Sequence, residues 1–213
     1  MAEDVVVISL PEREDRRERI RRTMKAERVR FRFADGVRVA DEDLDPEEVA
    51  AVGWQPMKVV GGWPKYLRGV AGCRRAHLRC LEAALGAGRK SLLLIEDDMQ
   101  WREAWLERYK AALQELPRGW LQLYLSSANY RRSEQVSPHL HRLRGAWQTT
   151  AILYSAAGIE AAVNALRKSR YEIDCWMGDH LHPFGCSYAI RPGIAYQRGG
   201  LSDIMGFDRG VTP

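Results

Sequence analysis

The 213-residue sequence contains few cysteines and no long hydrophobic run. Its four cysteines, Cys73, Cys80, Cys175 and Cys186, form no CxxC pair, so neither a disulfide framework nor a zinc ribbon is predicted. No segment approaches the roughly 18 consecutive apolar residues that a membrane-spanning helix needs. The first residues, Met-Ala-Glu-Asp, lack the basic and apolar regions of a signal peptide. We therefore expect a cytoplasmic protein with reduced thiols.

The composition is that of a folded globular protein with an excess of positive charge. Hydrophobic residues make up 46% of the chain and charged residues 29%, and the length suits a single domain over residues 1–213. The formal net charge of +5 fits partners that carry phosphate, namely nucleotides, nucleic acid or an anionic membrane face. Charge alone does not distinguish these partners.

Short apolar runs alternate with helical patterns along the chain, which predicts an α/β fold with a mostly parallel central sheet flanked by helices. Strands are expected over residues 4–10, 29–34, 91–95, 120–126, 149–154 and 187–190, and helices over 13–25, 41–51, 69–85, 100–116 and 156–166.

Two segments allow a binding or a structural interpretation. Residues 53–68 are rich in Gly, Trp and Pro and are interpreted as a loop, in which Trp54, Trp63 and Tyr66 either stack on a sugar or base or pack onto the core. The charged helix over residues 13–25 either presents a solvated face or directs an arginine at a nucleotide phosphate. Its interleaved glutamates disfavour binding to nucleic acid.

Three consecutive acids, Glu96, Asp97 and Asp98, follow the apolar strand predicted over residues 91–95. Their mutual repulsion beside a buried strand is a cost that a divalent cation would offset. In extended backbone Glu96 and Asp98 point to the same side, and their hard oxygen ligands suit Mg²⁺ or Mn²⁺. The alternative is a helix cap, in which Asp97 or Asp98 begins a helix near Met99. The sequence physics leaves both open.

Four short motifs in a fixed order resemble glycosyltransferase family 25, which contains bacterial lipopolysaccharide galactosyltransferases and the collagen galactosyltransferase domains. They are VISLPEREDRR at 7–17, GCRRAH at 72–77, LLLIEDD at 92–98 and QRGGLSDI at 197–204.

The resemblance implies a GT-A-like fold and a metal-dependent, inverting transfer of a hexose, galactose or glucose, from a UDP-sugar donor. It implies that Glu96 and Asp98 hold Mn²⁺ or Mg²⁺, while Asp97 is structural or contacts the donor. The acceptor would be a glycan or a lipid-linked glycan, with peripheral contact to an anionic membrane. Further donor-site residues implied in this way are Arg13, Arg16, Gln197, Ser202 and Asp203.

Inverting transfer needs a general base, and the candidates are Asp174 and Asp179. Asp179 is preferred because it follows Gly178 in an expected exposed turn, whereas Asp174 could cap a short helix. His180 is a candidate third metal ligand. The competing hypotheses are an inactive relative that serves as a binding or scaffold protein, and a nucleic-acid-binding protein.

Overall fold

The computed structural model describes residue 2 and residues 4–51, 62–129 and 133–210. Its helices are α1 (Glu14–Ala26), α2 (Pro46–Ala51), α3 (Gly62–Gly86), α4 (Trp105–Glu115), α5 (Ala156–Leu166) and α6 (Ile173–His180), with 3-10 turns at Asp41–Asp43 and His182–Phe184. Its strands are β1 (Asp4–Ser9), β2 (Arg32–Asp35), β3 (Ser91–Glu96), β4 (Met99–Trp101), β5 (Gln122–Asn129), β6 (Glu134–Gln135), β7 (Leu140–Arg142), β8 (Ala146–Ser155), β9 (Ser187–Ile190), β10 (Ala195–Gln197), β11 (Gly200–Leu201) and β12 (Asp208–Arg209).

A mixed eight-stranded sheet forms the centre of the fold, in the order β2-β1-β3-β8-β5-β9-β7-β6. Strand β1 pairs in parallel with β2 and β3, and β5 pairs in parallel with β9. Strand β8 runs antiparallel to both of its neighbours, β3 and β5. The carboxyl ends of β1, β2 and β3 therefore meet at one edge, where ligands collect in open α/β sheets.

Helices cover both faces of this sheet, because the apolar strands alternate their side chains between two cores. Val7 and Ile95 face one core, which contains residues of α1 and α4. Val6 and Leu94 face the other core, which contains residues of α3, α5 and α6. The prediction of an α/β fold with a sheet flanked by helices is confirmed. The expected mostly parallel sheet is mixed: among the described strands, three of its seven neighbouring pairs are parallel and four are antiparallel.

Two sequence predictions about secondary structure are wrong. The helix predicted over residues 100–116 begins at Trp105, because Met99–Trp101 instead forms β4 and pairs with β10. The loop predicted over 53–68 is already helical from Gly62, and Trp63 there stacks on the buried Tyr66 with ring centroids 5.6 Å apart. Trp54 lies outside the described residues. No helix in the described part of the chain is long and apolar enough to span a membrane.

Candidate functional site

A cavity of about 320 Å³ lies at the edge where β1, β2 and β3 end. The acidic triplet forms part of its wall, so the three acids stand where the sheet topology favours a ligand. The remaining wall comes from residues 8–10 at the end of β1, Arg16 of α1, residues 36–39 after β2, one face of α3 and residues 202–204.

The negative charge of Asp97, the middle acid, is stabilised by hydrogen bonds from other side chains of the protein. It is 7% exposed, and its Oδ1 accepts a hydrogen bond of 2.6 Å from the guanidinium of Arg16. Its Oδ2 accepts a second bond, also 2.6 Å, from the hydroxyl of Ser9. Asp97 thus joins β1, α1 and β3, which fits the structural role expected for it.

Glu96 is oriented by two donors that flank the end of β3. Thr149 Oγ1 on β8 donates to Glu96 Oε1 over 2.6 Å, and His77 Nε2 on α3 lies 3.1 Å from the same oxygen. Both partners are almost completely buried. The carboxylate is therefore held in one place by the rigid parts of the fold.

Asp98 differs from Asp97 because its charge has weaker compensation. Its Oδ2 accepts a hydrogen bond of 2.9 Å from Gln197 Nε2, while its Oδ1 is buried without a hydrogen-bond partner. Burial, reinforced by the negative charge of Glu96, raises the pKa of Asp98 to about 7. A buried carboxylate oxygen of this kind fits a cation as its missing partner.

The helix-cap interpretation of the triplet is wrong. Asp97 and Asp98 form a turn that leads into β4, and α4 begins only at Trp105. The pairing of β4 with β10 places Gln197 opposite Met99, and the backbone N–H of Arg198 donates to the carbonyl of Asp98. The acidic turn is thereby closed by a distant segment of the chain.

Asp203 lies in the cavity wall and is surrounded by arginines from two parts of the chain. Arg13 contacts Asp203 at 2.5 Å, and Arg16 and Arg38 lie 3.7 Å away from it. The backbone carbonyl of Leu201 also accepts a hydrogen bond from Arg16. These contacts fasten the C-terminal segment to α1 beside the acidic turn.

The other predicted C-terminal residue, Ser202, lines the cavity through its position in a tight turn. Its Oγ accepts a hydrogen bond of 3.1 Å from the backbone N–H of Met205. Eight of the predicted site residues thus lie in or beside one cavity, as their assignment to one site requires. They are Arg13, Arg16, Glu96, Asp97, Asp98, Gln197, Ser202 and Asp203.

The residues predicted in the 171–180 segment lie on or beside α6 and are not among the described residues that line the cavity, but Asp174 is close enough to Glu96 for their charges to interact. Asp174 accepts hydrogen bonds from the backbone N–H groups of Gln148 and Cys175, and burial raises its pKa. Asp179 is exposed and accepts a hydrogen bond of 3.1 Å from Tyr171. The expected turn is wrong, because Gly178 is buried within α6.

His180, the predicted third metal ligand, is exposed at the end of α6. Its Nδ1 lies 3.0 Å from the carbonyl of Trp176, and its ring stacks on that indole at 3.9 Å. The side chain is thus engaged by its own helix rather than by the acidic turn.

Sequence reasoning missed the residues that orient the acids. Thr149 and Ser9 carry no chemical signal in the sequence. His77 lies on the apolar side of its helix, as a core histidine does, and only the family motif GCRRAH favours a supporting role for it at the site. The one signal was Gly72: a Cβ there would overlap the carbonyl oxygen of Val37, so the Gly-Cys pair marks a close approach of α3 to the segment after β2.

The carboxylates also give this part of the cavity a strongly negative character. The pKa of the Cys73 thiol is raised well above its usual value by burial, and the charges of Glu96, Asp174 and Asp98 add to that effect. The site therefore has oxygen ligands, one unpartnered carboxylate oxygen and an electrostatic preference for a cation. These properties fit a divalent metal ion.

Comparison with protein families gives a match over most of the chain. The model of glycosyltransferase family 25, described as an LPS biosynthesis protein, matches residues 2–151. This range covers more than two thirds of the chain and includes the acidic triplet, whereas residues 197–204 lie beyond it. No curated protein matches the chain.

Several solved structures are similar to the chain at low sequence identity. A protein from STIV has 12% identity and a TM-score of 0.48, with 100% of this chain and 98% of that chain covered. A glycosyltransferase involved in glycosylation of the major capsid of PBCV-1 has 7% identity and a TM-score of 0.45, with coverages of 87% and 79%. An active-site mutant of LgtC has 10% identity and a TM-score of 0.39, with coverages of 83% and 70%.

Proposed function

The chain belongs to glycosyltransferase family 25, and from this premise we propose that it transfers a hexosyl group, galactose or glucose, from a UDP-sugar to a glycan-type acceptor with inversion. Glu96 and Asp98 hold a divalent metal, Mn²⁺ or Mg²⁺, in this proposal. The observed α/β architecture fits the GT-A-like fold that the family resemblance implies.

The observation that carries the proposal is the buried, unpartnered Oδ1 of Asp98 beside a second carboxylate that rigid elements orient. A bound divalent ion supplies neutralisation of negative charge on the departing nucleoside diphosphate. The chain's own part is positioning: Thr149 and His77 fix Glu96, and Gln197 fixes Asp98. Such partners of metal ligands commonly decide metal affinity.

The donor residues divide into two groups by position. Four of them line the cavity, and we assign them to the part that binds the UDP-sugar donor: Arg16, Asp97, Ser202 and Asp203. Arg13 and Gln197 are not among the lining residues. Arg13 donates a hydrogen bond to Asp203, and Gln197 donates one to Asp98. The arginine cluster provides positive charge near the acidic turn, which suits a ligand that carries both phosphate and metal.

The general base is assigned to α6, where Asp179 is preferred to Asp174. Both oxygens of Asp174 already accept backbone hydrogen bonds, whereas Asp179 is exposed so that an acceptor hydroxyl can approach it. Replacement of each by Asn separates the two: Asp179→Asn should lower kcat strongly, and Asp174→Asn should mainly lower stability. A strong loss of kcat in Asp174→Asn, with unchanged kcat in Asp179→Asn, would instead identify Asp174 as the general base.

The acceptor belongs to the same proposal. The family description names LPS biosynthesis, and we propose a glycan acceptor that is lipid-linked, reached by peripheral contact of this basic chain with an anionic membrane face. Binding of the purified chain to vesicles with anionic lipid, reversed by salt, tests the membrane contact.

The test of the proposed function is a screen of nucleotide sugars with the purified chain and Mn²⁺, with nucleotide release as the readout. One UDP-sugar should be hydrolysed or should raise the Tm, and chelator should abolish the effect. Asp98→Asn should lose the effect, while the matched control Glu107→Gln, an exposed acid on α4, should keep it. Absence of both release and thermal shift with every nucleotide sugar would refute the proposal.

A further inference from the structure

A second set of metal-ligating side chains borders the same cavity. Cys73 and His77 lie one helical turn apart on α3, and Glu96 ends β3 opposite them. One ligand atom from each of the three side chains lies within 4.8 Å of the others. Sulfur, nitrogen and oxygen ligands thus converge from two rigid elements on one point.

The distance between the nitrogen and the oxygen of this cluster is close to that in a tetrahedral zinc site. Zinc binds nitrogen and oxygen at about 2.0–2.1 Å and sulfur at about 2.3 Å, which places two ligand atoms roughly 3.3–3.6 Å apart. His77 Nε2 and Glu96 Oε1 are already 3.1 Å apart. Cys73 Sγ lies within 4.8 Å of a ligand atom of each of the other two side chains.

The surroundings leave room for a fourth ligand. Cys73, His77 and Glu96 all line the cavity, so the side of the cluster opposite α3 and β3 is accessible. Three protein ligands and one open position are the arrangement of zinc sites that admit water or a substrate atom. The close approach of Gly72 to the Val37 carbonyl holds this part of α3 in place.

We propose that Cys73, His77 and Glu96 form a binding site for Zn²⁺. A thiolate and an imidazole select zinc over Mg²⁺ and Mn²⁺, which prefer oxygen. On binding, the Cys73 thiol releases its proton to solvent and the sulfur bonds to the ion as thiolate. His77 gives up its hydrogen bond to Glu96 and takes the Nδ1–H tautomer, so that the unprotonated Nε2 bonds to the ion. The site shares Glu96 with the hard-metal pair proposed above, but it does not depend on transferase activity.

The experiment uses Co²⁺ as a spectroscopic probe for zinc in the purified full chain after treatment with chelator. A Co²⁺–thiolate bond gives a charge-transfer absorption band in the near ultraviolet, and oxygen ligands alone give none. Titration of the chain with Co²⁺ should produce the band, and added Zn²⁺ should remove it by displacement.

Three variants test whether Cys73 supplies the thiolate. Cys73→Ser should lose the band, whereas Cys175→Ser, which removes another partly buried thiol, should keep it. Asp98→Asn should also keep the band, although it should lose the Mn²⁺-dependent nucleotide release or rise in Tm that the UDP-sugar produces. The zinc site and the proposed transferase function can therefore fail independently of each other. The inference is overturned if the wild-type chain gives no band at millimolar Co²⁺, or if Cys73→Ser retains it. Thermal unfolding verifies that each variant is folded.

Discussion

The guanidinium of Arg16 lies 2.6 Å from Oδ1 of Asp97 and neutralises the middle acid of the triplet from within the chain. The three acids therefore do not act as one group. The negative charge of Asp97 is balanced by Arg16, whereas the charges of Glu96 and Asp98 are the ones that a cation would balance. The structure thus separates one acid whose charge is balanced within the chain from two candidate metal ligands.

Replacement of Arg16 by Ala should destabilise the chain strongly, because it leaves the carboxylate of Asp97 buried without its charge partner. Loss of one member of a buried ion pair costs about 3–5 kcal/mol of unfolding free energy. Arg22→Ala on the same helix is the control, since Arg22 is 73% exposed and lies 3.9 Å from Glu18; we expect a change within about 0.5 kcal/mol. Urea unfolding measures both, and equal losses would contradict the role of Arg16.

The stability of the metal-free chain should depend on pH through Asp98. Its pKa is raised from 3.8 to about 7, so between these values the folded chain retains a proton that the unfolded chain loses. The contribution of this group to stability is therefore present at low pH and is lost as the pH rises through that window. Asp98→Asn should gain Tm relative to the wild type from about pH 4 to about pH 7.

Added Mn²⁺ supplies the internal control for this pH effect, because a bound cation stabilises the ionised carboxylate. The wild-type chain should then regain Tm toward neutral pH, and Asp98→Asn should not respond. A constant difference in Tm between the two chains at every pH, with and without metal, would rule out this role for Asp98.

Thr149→Val should weaken metal binding with little effect on folding. It removes the 2.6 Å hydrogen bond that orients Glu96 while nearly preserving the shape of the side chain. Loss of such a supporting contact typically lowers metal affinity by about 10–100-fold. The neighbouring Thr150→Val is a matched control, because the buried Oγ1 of Thr150 lacks a hydrogen-bond partner; that variant should bind metal normally and be at least as stable. Equal metal affinity in the two variants, measured by calorimetry, would be inconsistent with the proposed site.

Gly72→Ala should destabilise the fold and disturb the cavity, since the added Cβ overlaps the carbonyl oxygen of Val37. Overpacking of this kind costs about 1–3 kcal/mol. Gly86→Ala at the other end of α3 meets no atom within 4 Å and should be neutral or stabilising by up to about 1 kcal/mol. Thermal unfolding of the pair tests whether the Gly-Cys motif reflects packing; a neutral Gly72→Ala would show that it does not.

The sequence predicted those parts of the fold that local patterns determine. The apolar runs at β1, β3 and β9, the helix Ala156–Leu166 and the position of the acids after β3 were all readable, because burial on both faces or helical spacing leaves a clear signal. The family resemblance assigned residues 92–98 and 197–204 to one site, and in the structure Gln197 Nε2 donates a hydrogen bond to Asp98 Oδ2.

The parts of the fold and the site that the sequence did not predict depend on contacts between residues far apart in the chain. Met99 and Trp101 fit a helical pattern with Trp105, yet they form a strand because Ala195–Gln197 pairs with them. The partners of Asp97 on β1 and α1 are likewise invisible to spacing rules, since Ser9 and Arg16 are separated from it by more than 80 residues. Tertiary pairing overrides local preference at these positions.

During synthesis on the ribosome, the turn that contains Asp98 emerges about a hundred residues before the strand that closes it. At ordinary elongation rates this interval lasts roughly 5 to 20 s. In that time the nascent chain can order β1, α1 and β3, but Gln197 and Asp203 have not yet arrived. The turn can therefore be closed only after residues 195–203 have left the ribosome.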